Sequence, residues 1–153
     1  MRIVVALGGN ALLPRGGPLD FATQLVAARA AARALAPVIA SHHVGITHGN
    51  GPQVGVLALQ AGDSGAWPLD VLVAETEGMI GYVLETELER VVEAPVLSIL
   101  TRGQVDPDDP AFTKPTKPIG PVYPDTDSTR REAESHGWVL APDTGGLRRV
   151  VPS

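Results

Sequence analysis

Residues 44–55 read VGITHGNGPQVG, and residues 2–10 read RIVVALGGN. In both segments a short apolar run, rich in β-branched residues, ends at glycines, and helical spacing begins soon afterwards. Such a run is typical of a buried strand. Pro52 suits the first turn of a helix, because the N–H that proline lacks has no partner there in any case. Each segment therefore predicts a strand, a glycine loop and a helix, which are the repeating parts of a parallel α/β sheet.

The rest of the chain continues this alternation. Apolar spacing predicts a helix from about residue 20, which Pro37 should kink or end, and a helix over residues 53–61. A long helix with Asp70 as its N-cap follows, and residues 95–100, PVLSIL, predict a third core strand. Near the end we expect a short helix over residues 126–136 and then strands at WVLAPD and RRVV. The order predicts a parallel sheet with helices on its faces.

A proline-rich stretch interrupts this pattern. Residues 106–124 contain six prolines in nineteen positions, which excludes a regular helix or a central strand. The stretch is either a linker or a rigid lobe carried on the domain. Its aromatic and apolar residues, Phe112, Ile119, Val122 and Tyr123, favour the lobe.

Composition narrows the class of protein. The 153 residues are about one domain, and 44% of them are apolar, so a core is available. The net charge of −5 and the lack of a basic run disfavour nucleic-acid and polybasic membrane surfaces. The chain has no cysteine, which excludes disulfides, thiolate nucleophiles and cysteine-ligated metals. No apolar run approaches the roughly 18 residues of a membrane span, and we expect a cytoplasmic protein.

Asparagine and lysine are rare and occur in loops. The two asparagines, Asn10 and Asn50, each follow glycine in one of the two loops. Chance and codon bias explain this pattern in one interpretation, and a chemical need for an amide explains it in the other. At the carboxyl end of parallel strands, glycines let backbone N–H groups approach a ligand, and a helix start favours an anion. The loops match neither GxGxxG nor GK[ST], so they predict either a site for a phosphate-like anion or ordinary tight turns.

Both lysines, Lys114 and Lys117, lie in the proline-rich stretch. Lys117 stands between Pro115 and Pro118, which stiffen the backbone and can aim its ammonium at a transferring phosphoryl group. A solvated lysine on a rigid loop is the alternative, and it is the interpretation that we favour for Lys114. His48 is a candidate for proton transfer or for a structural hydrogen bond.

No metal site is predicted. Three aspartates near residue 106 alternate with prolines, but they lack the spaced oxygen ligands of a calcium loop, and we expect a solvated turn. No histidine pair has zinc spacing.

The chain resembles the N-terminal half of carbamate kinase, a family of the amino acid kinase superfamily. The motifs that carry the resemblance are VVALGGNALL, ITHGNGPQVG, PLDVLVAETEGMIGY, VDPDDPAF, TKPTKPIGP and RRVVPS, in family order and over nearly all of the chain. HGNGPQVG and PTKPIGP are specific to this family, whereas LGGN is shared by several kinases of the superfamily.

The resemblance implies a three-layer α/β/α sandwich around a mainly parallel sheet. Residues 1–153 would be the carbamate-binding half, with the proline-rich stretch, about 104–125, as a protruding lobe. The family transfers a phosphoryl group between ATP and carbamate, often in reverse during arginine breakdown. By motif, Gly8, Gly9, Asn10, Gly49, Asn50 and Gly51 would line the carbamate or carbamoyl-phosphate site. Lys117 would approach the phosphoryl group as the catalytic lysine.

Family members are much longer than this chain. Their second half carries most of the site for ATP or ADP with Mg²⁺, so we expect negligible turnover from this chain alone. A complementary half, or a homodimer as in the family, would then be its partner. Two other functions stay open: a non-catalytic anion-binding or regulatory domain, and a related kinase that acts on an acyl or isoprenoid phosphate.

Overall fold

A computed structural model describes residues 1–13, 18, 20–50, 53–60 and 67–152. The elements are β1 (Arg2–Leu7), α1 (Gly9–Leu12), α2 (Phe21–Ile39), β2 (His43–His48), α3 (Gln53–Gln60), α4 (Leu69–Glu89), a 3₁₀ turn (Pro110–Phe112), β3 (Lys117–Tyr123), α5 (Asp127–Ser135), β4 (Val139–Asp143) and β5 (Gly146–Val151). The predicted Gly51 and Pro52 and most of the loop over 62–68 lie outside the described residues. The chain forms two compact units, one of residues 1–54 and 63–101 and one of residues 55–62 and 102–153.

The first unit is built on a parallel pair of strands. β1 pairs with β2 in a register that sets Arg2 opposite His43 and Leu7 opposite His48. Alternate residues of both strands are exposed, including Val4 at 75%. The prediction of a parallel α/β arrangement is confirmed for this pair. A fully buried β1 is wrong, because only one face of the sheet is covered among the described residues.

Two long helices supply the core of the first unit. α2 and α4 pack against each other, and the buried residues form two clusters with alternate residues of the sheet. The cluster members are Leu12, Ala28, Ile80, Val83 and Leu84 in one and Ala32, Leu35 and Leu88 in the other. The helical spacing in the sequence predicted most of this core. It also predicts Phe21 of α2 and Met79 of α4 on the same faces, and that part is wrong, because these side chains are 61% and 38% exposed.

The starts and ends of the helices differ from the prediction in detail. Asp20 caps α2: its Oδ1 accepts a hydrogen bond from the Thr23 N–H at 2.7 Å, which lowers the pKa of Asp20. Pro37 does not end α2. It lies inside the helix, which continues to Ile39, because a proline this close to the end removes a hydrogen bond only from the last turn. The predicted N-cap Asp70 lies inside the first turn of α4, where a carboxylate favours the helix dipole, and Pro68 occupies the cap.

The predicted third strand, residues 95–100, is wrong. These residues lack strand hydrogen bonding, and Leu97 and Ile99 are 82% and 78% exposed. Only Val96 packs against a core cluster. The apolar run predicted a strand, but a strand must also form hydrogen bonds with a neighbouring strand. Composition does not show whether such a neighbour is present.

An ion pair joins the two long helices. Glu87 of α4 is 4% exposed, and its carboxylate accepts from Arg29 Nε of α2 at 2.9 Å. Arg90 Nε lies 3.5 Å from the other carboxylate oxygen and is more exposed. The buried carboxylate therefore depends mainly on Arg29 for its partner.

Arg29→Met should destabilise the first unit by about 1–3 kcal/mol, because it leaves a buried carboxylate with one weak partner. Arg90→Met, the matched control, should cost about 0–1 kcal/mol, because Arg90 is the more exposed cation and its contact with Glu87 is long at 3.5 Å. Hydrogen exchange of the α4 amides, followed by mass spectrometry, measures both. Equal protection in the two variants would show that Arg29 does not hold the carboxylate.

The second unit is a small antiparallel sheet with strand order β3-β5-β4. Ile119, Ala133, Leu147 and Val150 are buried in it. The proline-rich stretch contributes the edge strand β3, whose register shifts between Ile119 and Val122. An edge strand tolerates Pro118 and Pro121, so the exclusion of a central strand is confirmed.

Candidate functional site

The two glycine loops leave the sheet side by side. β1 ends at Leu7 and β2 at His48, and these residues are register partners in a parallel pair. Gly8 and Gly49 therefore follow two neighbouring strands at the same edge of the sheet. This is the edge at which ligands bind in open α/β sheets.

The glycines of these loops are not explained by the backbone. Gly8, Gly9 and Gly49 do not have positive φ, which among the described glycines occurs only at Gly120, Gly137 and Gly145. They are not explained by packing either, since a Cβ on any of the three would meet no atom within 4 Å. A glycine that a tight turn requires has a positive φ, and a glycine that close packing requires has an atom where its Cβ would be. The missing side chains leave open space beside the loops.

Asn50 is held by a residue of α4. Its Nδ2 donates to Thr76 Oγ1 at 3.3 Å, and Thr76 is fully buried. The hydroxyl of Thr76 itself donates towards the carbonyl oxygens of Leu72 and Val73, at 3.0 and 2.9 Å. The Asn50 amide is therefore tied to the second turn of a long helix.

His48 supports the loop through its ring. Its Nδ1 lies 3.1 Å from the carbonyl oxygen of Gly49, a distance at which an Nδ1–H donates to that oxygen. His48 also lines a cavity of about 440 Å³ between β2, α4 and residues 94–101, where aliphatic side chains such as Val44 and Leu84 dominate. This contact favours the structural interpretation of His48.

The other candidates lie as follows. Asn10 is the second residue of α1, a helix start whose first N–H groups have no intrahelical partner. Gly51 lies outside the described residues. Lys117 is exposed and is the first residue of β3, in the second unit, where it faces Val151 across the ladder.

Sequence reasoning missed Thr76. It lies in the motif PLDVLVAETEGMIGY, which the resemblance singled out, but its spacing marks it only as one more residue on the buried face of α4. A threonine among aliphatic residues on a buried helix face is the one sequence feature that could have indicated Thr76, since a buried hydroxyl requires hydrogen-bond partners.

Neither a metal cluster nor a membrane helix is found in the part of the chain that the structure describes. There, no three histidine or acidic side chains come together as metal ligands. Two of the three aspartates near residue 106 accept backbone hydrogen bonds: Asp106 Oδ1 from the N–H of Asp108, and Asp109 Oδ1 from the N–H of Ala111. No helix in the same residues has the length and apolar character needed to cross a bilayer.

Comparison with known proteins gives consistent results. The chain is 51% identical to the carbamate kinase of Rhizobium meliloti, with 100% of this chain and 48% of the relative covered. It is 49% identical to that of Haemophilus influenzae, with 100% and 51% covered. The chain thus spans about half the length of the curated relatives that it matches. A scan against protein-family models gives no match.

Solved structures agree in fold. A carbamate kinase from Giardia lamblia bound to AMP-PNP has a TM-score of 0.82 and 37% identity, over 99% of this chain and 52% of that one. A protein of Aeropyrum pernix K1 has a TM-score of 0.89 and 38% identity, over 100% and 52%. The recognition made from the motifs and the predicted α/β fold class are confirmed: the chain corresponds in sequence and fold to the N-terminal half of carbamate kinases.

Proposed function

We propose that this chain, which is related to carbamate kinases along its whole length, supplies the carbamate and carbamoyl-phosphate site of a phosphotransferase. The reaction is ATP + carbamate ⇌ ADP + carbamoyl phosphate, in which a carbamate oxygen forms a bond to the γ-phosphorus and the bond to the ADP oxygen breaks. The observation that carries the proposal is the pair of open glycine–asparagine loops at one edge of the parallel strands.

The loops suit a compact anion. Backbone N–H groups donate without adding charge, and the missing side chains allow a phosphate or carboxylate to approach the main chain closely. Gly8, Gly9, Asn10, Gly49, Asn50 and Gly51 are the proposed substrate-binding residues. An amide side chain can both donate and accept, which a carbamoyl group requires because it carries an NH₂ and a carbonyl oxygen.

Lys117 is the proposed catalytic residue. A lysine ammonium is a compact cation, and a cation stabilises the charge that spreads over the phosphoryl oxygens in the transition state. The exposure of Lys117 and the strand pairing of its backbone leave the ammonium available on a fixed support. Support for this role comes from the motif PTKPIGP and from this chemistry.

The nucleotide and Mg²⁺ are proposed to bind elsewhere. Among the residues that the structure describes, no three histidine or acidic side chains come together as metal ligands. Mg²⁺ in kinases is held by one or two carboxylates together with the phosphates of the nucleotide, so we place it with the nucleotide. The half of the relatives that the match does not cover is the proposed source of that site. A cytoplasmic location, where ATP and ADP are abundant, accords with this proposal.

The complementary half is also the proposed partner of the open sheet. Parallel strands are normally covered on both faces. Here Val4 is exposed on the open face of the sheet. Leu97 and Ile99, which follow α4 in the chain, are exposed as well. An apolar surface of this kind, on a chain half as long as its relatives, suits the remainder of the same fold.

Binding tests the site without turnover. The chain should bind carbamoyl phosphate, with shifts of the Gly8, Gly9 and Gly49 amides in an NMR titration of the ¹⁵N-labelled protein. Gly8→Val should weaken binding at least about tenfold, because its side chain fills open space that the ligand needs. Gly103→Val is the control, at an open position in the second unit. Shifts confined to other regions would contradict the proposed site.

A further inference from the structure

The Asn50 amide has one fixed side and one free side. Its Nδ2 donates to Thr76, whereas its side-chain oxygen has no hydrogen-bond partner among the residues that the structure describes. Asn50 directly follows Gly49, beside which there is open space. The Asn50 oxygen is therefore available to a ligand at the edge of the sheet where the two glycine loops lie.

The hydrogen bonds of Thr76 determine which end of the Asn50 amide faces α4. A hydroxyl has a single hydrogen, and the contacts of Thr76 Oγ1 with the Leu72 and Val73 carbonyls are both shorter than its contact with Asn50. With its hydrogen directed at these carbonyls, Thr76 accepts from Asn50 through a lone pair. The amide must then turn its NH₂ group towards the helix and keep its oxygen for a donor.

A site that offers an amide oxygen selects a ligand that carries an N–H. Carbamate and carbamoyl phosphate carry an NH₂ group, and the corresponding acyl phosphate, acetyl phosphate, carries a methyl group of similar size in its place. A bound ligand shields the Asn50 oxygen from water, and an acceptor that loses water without gaining a donor is costly, so the methyl analogue is penalised.

We propose that Thr76 is a positioning residue that orients the Asn50 amide, so that the Asn50 oxygen accepts from the NH₂ group of the substrate and distinguishes carbamoyl from acyl phosphates. This inference rests on the proposed function for its ligand. It adds a residue on α4 and a source of specificity.

The test is a ratio of two dissociation constants, measured by NMR titration of the full chain. The wild-type chain should bind carbamoyl phosphate at least about tenfold more tightly than acetyl phosphate. Thr76→Val removes the hydroxyl at nearly constant volume, and it should bring the ratio below about threefold. Thr76→Ser restores the hydroxyl and should restore the preference.

Thr86→Val is the matched control. Thr86 lies on the same helix and makes the same type of bond, from its Oγ1 to the carbonyl oxygen of Tyr82 at 2.8 Å. Since the structure shows no bond from Thr86 to Asn50, the ratio should not change in this variant. A merely structural effect of Thr76→Val would weaken both ligands equally and leave the ratio at its wild-type value, which would overturn the inference.

A measurement without ligand separates this inference from the proposed function. The chain has two asparagines, so the side-chain NH₂ signals of Asn50 are easily assigned when only asparagine is labelled with ¹⁵N. They should shift in Thr76→Val and stay in place in Thr76→Ser and Thr86→Val. If the wild type binds neither phosphate but these signals shift, the proposed function fails and the positioning contact stands. If they do not shift, the positioning role is wrong.

Discussion

Joining this chain to the uncovered half of the Rhizobium meliloti carbamate kinase should give a protein that forms ATP from ADP, Mg²⁺ and carbamoyl phosphate. Lys117→Ala should then lower the rate by about 10²–10³-fold, the usual effect of removing one group that stabilises transition-state charge. The isolated chain should give no measurable rate, because phosphoryl transfer depends on cations placed around both phosphates. A coupled assay of ATP formation measures all three proteins.

Lys114→Ala is the control for Lys117→Ala. Both lysines are exposed and belong to the same proline-rich stretch, so a general loss of positive charge would affect them alike. We expect Lys114→Ala to change the rate less than about threefold. Lys117→Arg should recover part of the activity at most, since a broad planar guanidinium does not replace a compact ammonium.

The outcomes separate the functions that the sequence left open. Equal rates in the Lys117→Ala and Lys114→Ala fusions would contradict a catalytic Lys117. Binding of carbamoyl phosphate without ATP formation by the fusion would favour an anion-binding or regulatory domain. ATP formation by the isolated chain, lost in Lys117→Ala, would mean that copies of this chain complete the site together.

The strands that flank the loops could be predicted from sequence because each shows its own local signal. A β-branched run that ends at HGNG or LGGN specifies the strand, the turn and the start of the next helix within about ten residues. The two loops then become neighbours through parallel pairing, which the α/β alternation also implies. The prolines likewise mark edge strands: Pro118, Pro121 and Pro142 lie in β3 and β4, and central β5 is free of proline within Gly146–Val151.

Features that depend on a distant partner could not be predicted. Residues 95–100 have the composition of a strand, but whether they join a sheet depends on a neighbouring edge. The bond from Asn50 to Thr76 spans 26 residues, and the bond from Arg29 to Glu87 spans 58. Such pairs arise from the packing of α4, so no local pattern reports them.

Gly146→Ala should destabilise the second unit by about 3 kcal/mol or more, whereas Gly145→Ala should cost about 1–2 kcal/mol. The two neighbours need glycine for different reasons. A Cβ on Gly146 would collide with the carbonyl oxygen of Tyr123 in β3, a backbone atom that cannot move without breaking the β3–β5 ladder. Gly145 has open space around it, but its φ of +89° is strained for other residues.

Urea unfolding followed by Trp138 fluorescence measures both changes. Trp138 contacts Tyr123, His136 and Arg149, so its emission reports on the second unit, and Trp67→Phe removes the other tryptophan. The wild-type reference carries the same Trp67→Phe change.

Substitution by asparagine distinguishes the positive φ of Gly145 from the close backbone contact of Gly146. Asn tolerates positive φ better than other residues that carry a Cβ, so Gly145→Asn should cost less than Gly145→Ala. Gly146→Asn should not improve on Gly146→Ala, because any Cβ meets the same carbonyl. Should Gly146→Ala unfold at the same urea concentration as the reference, β3 must be able to move away from β5, and the close approach of these strands would not be what requires glycine at this position.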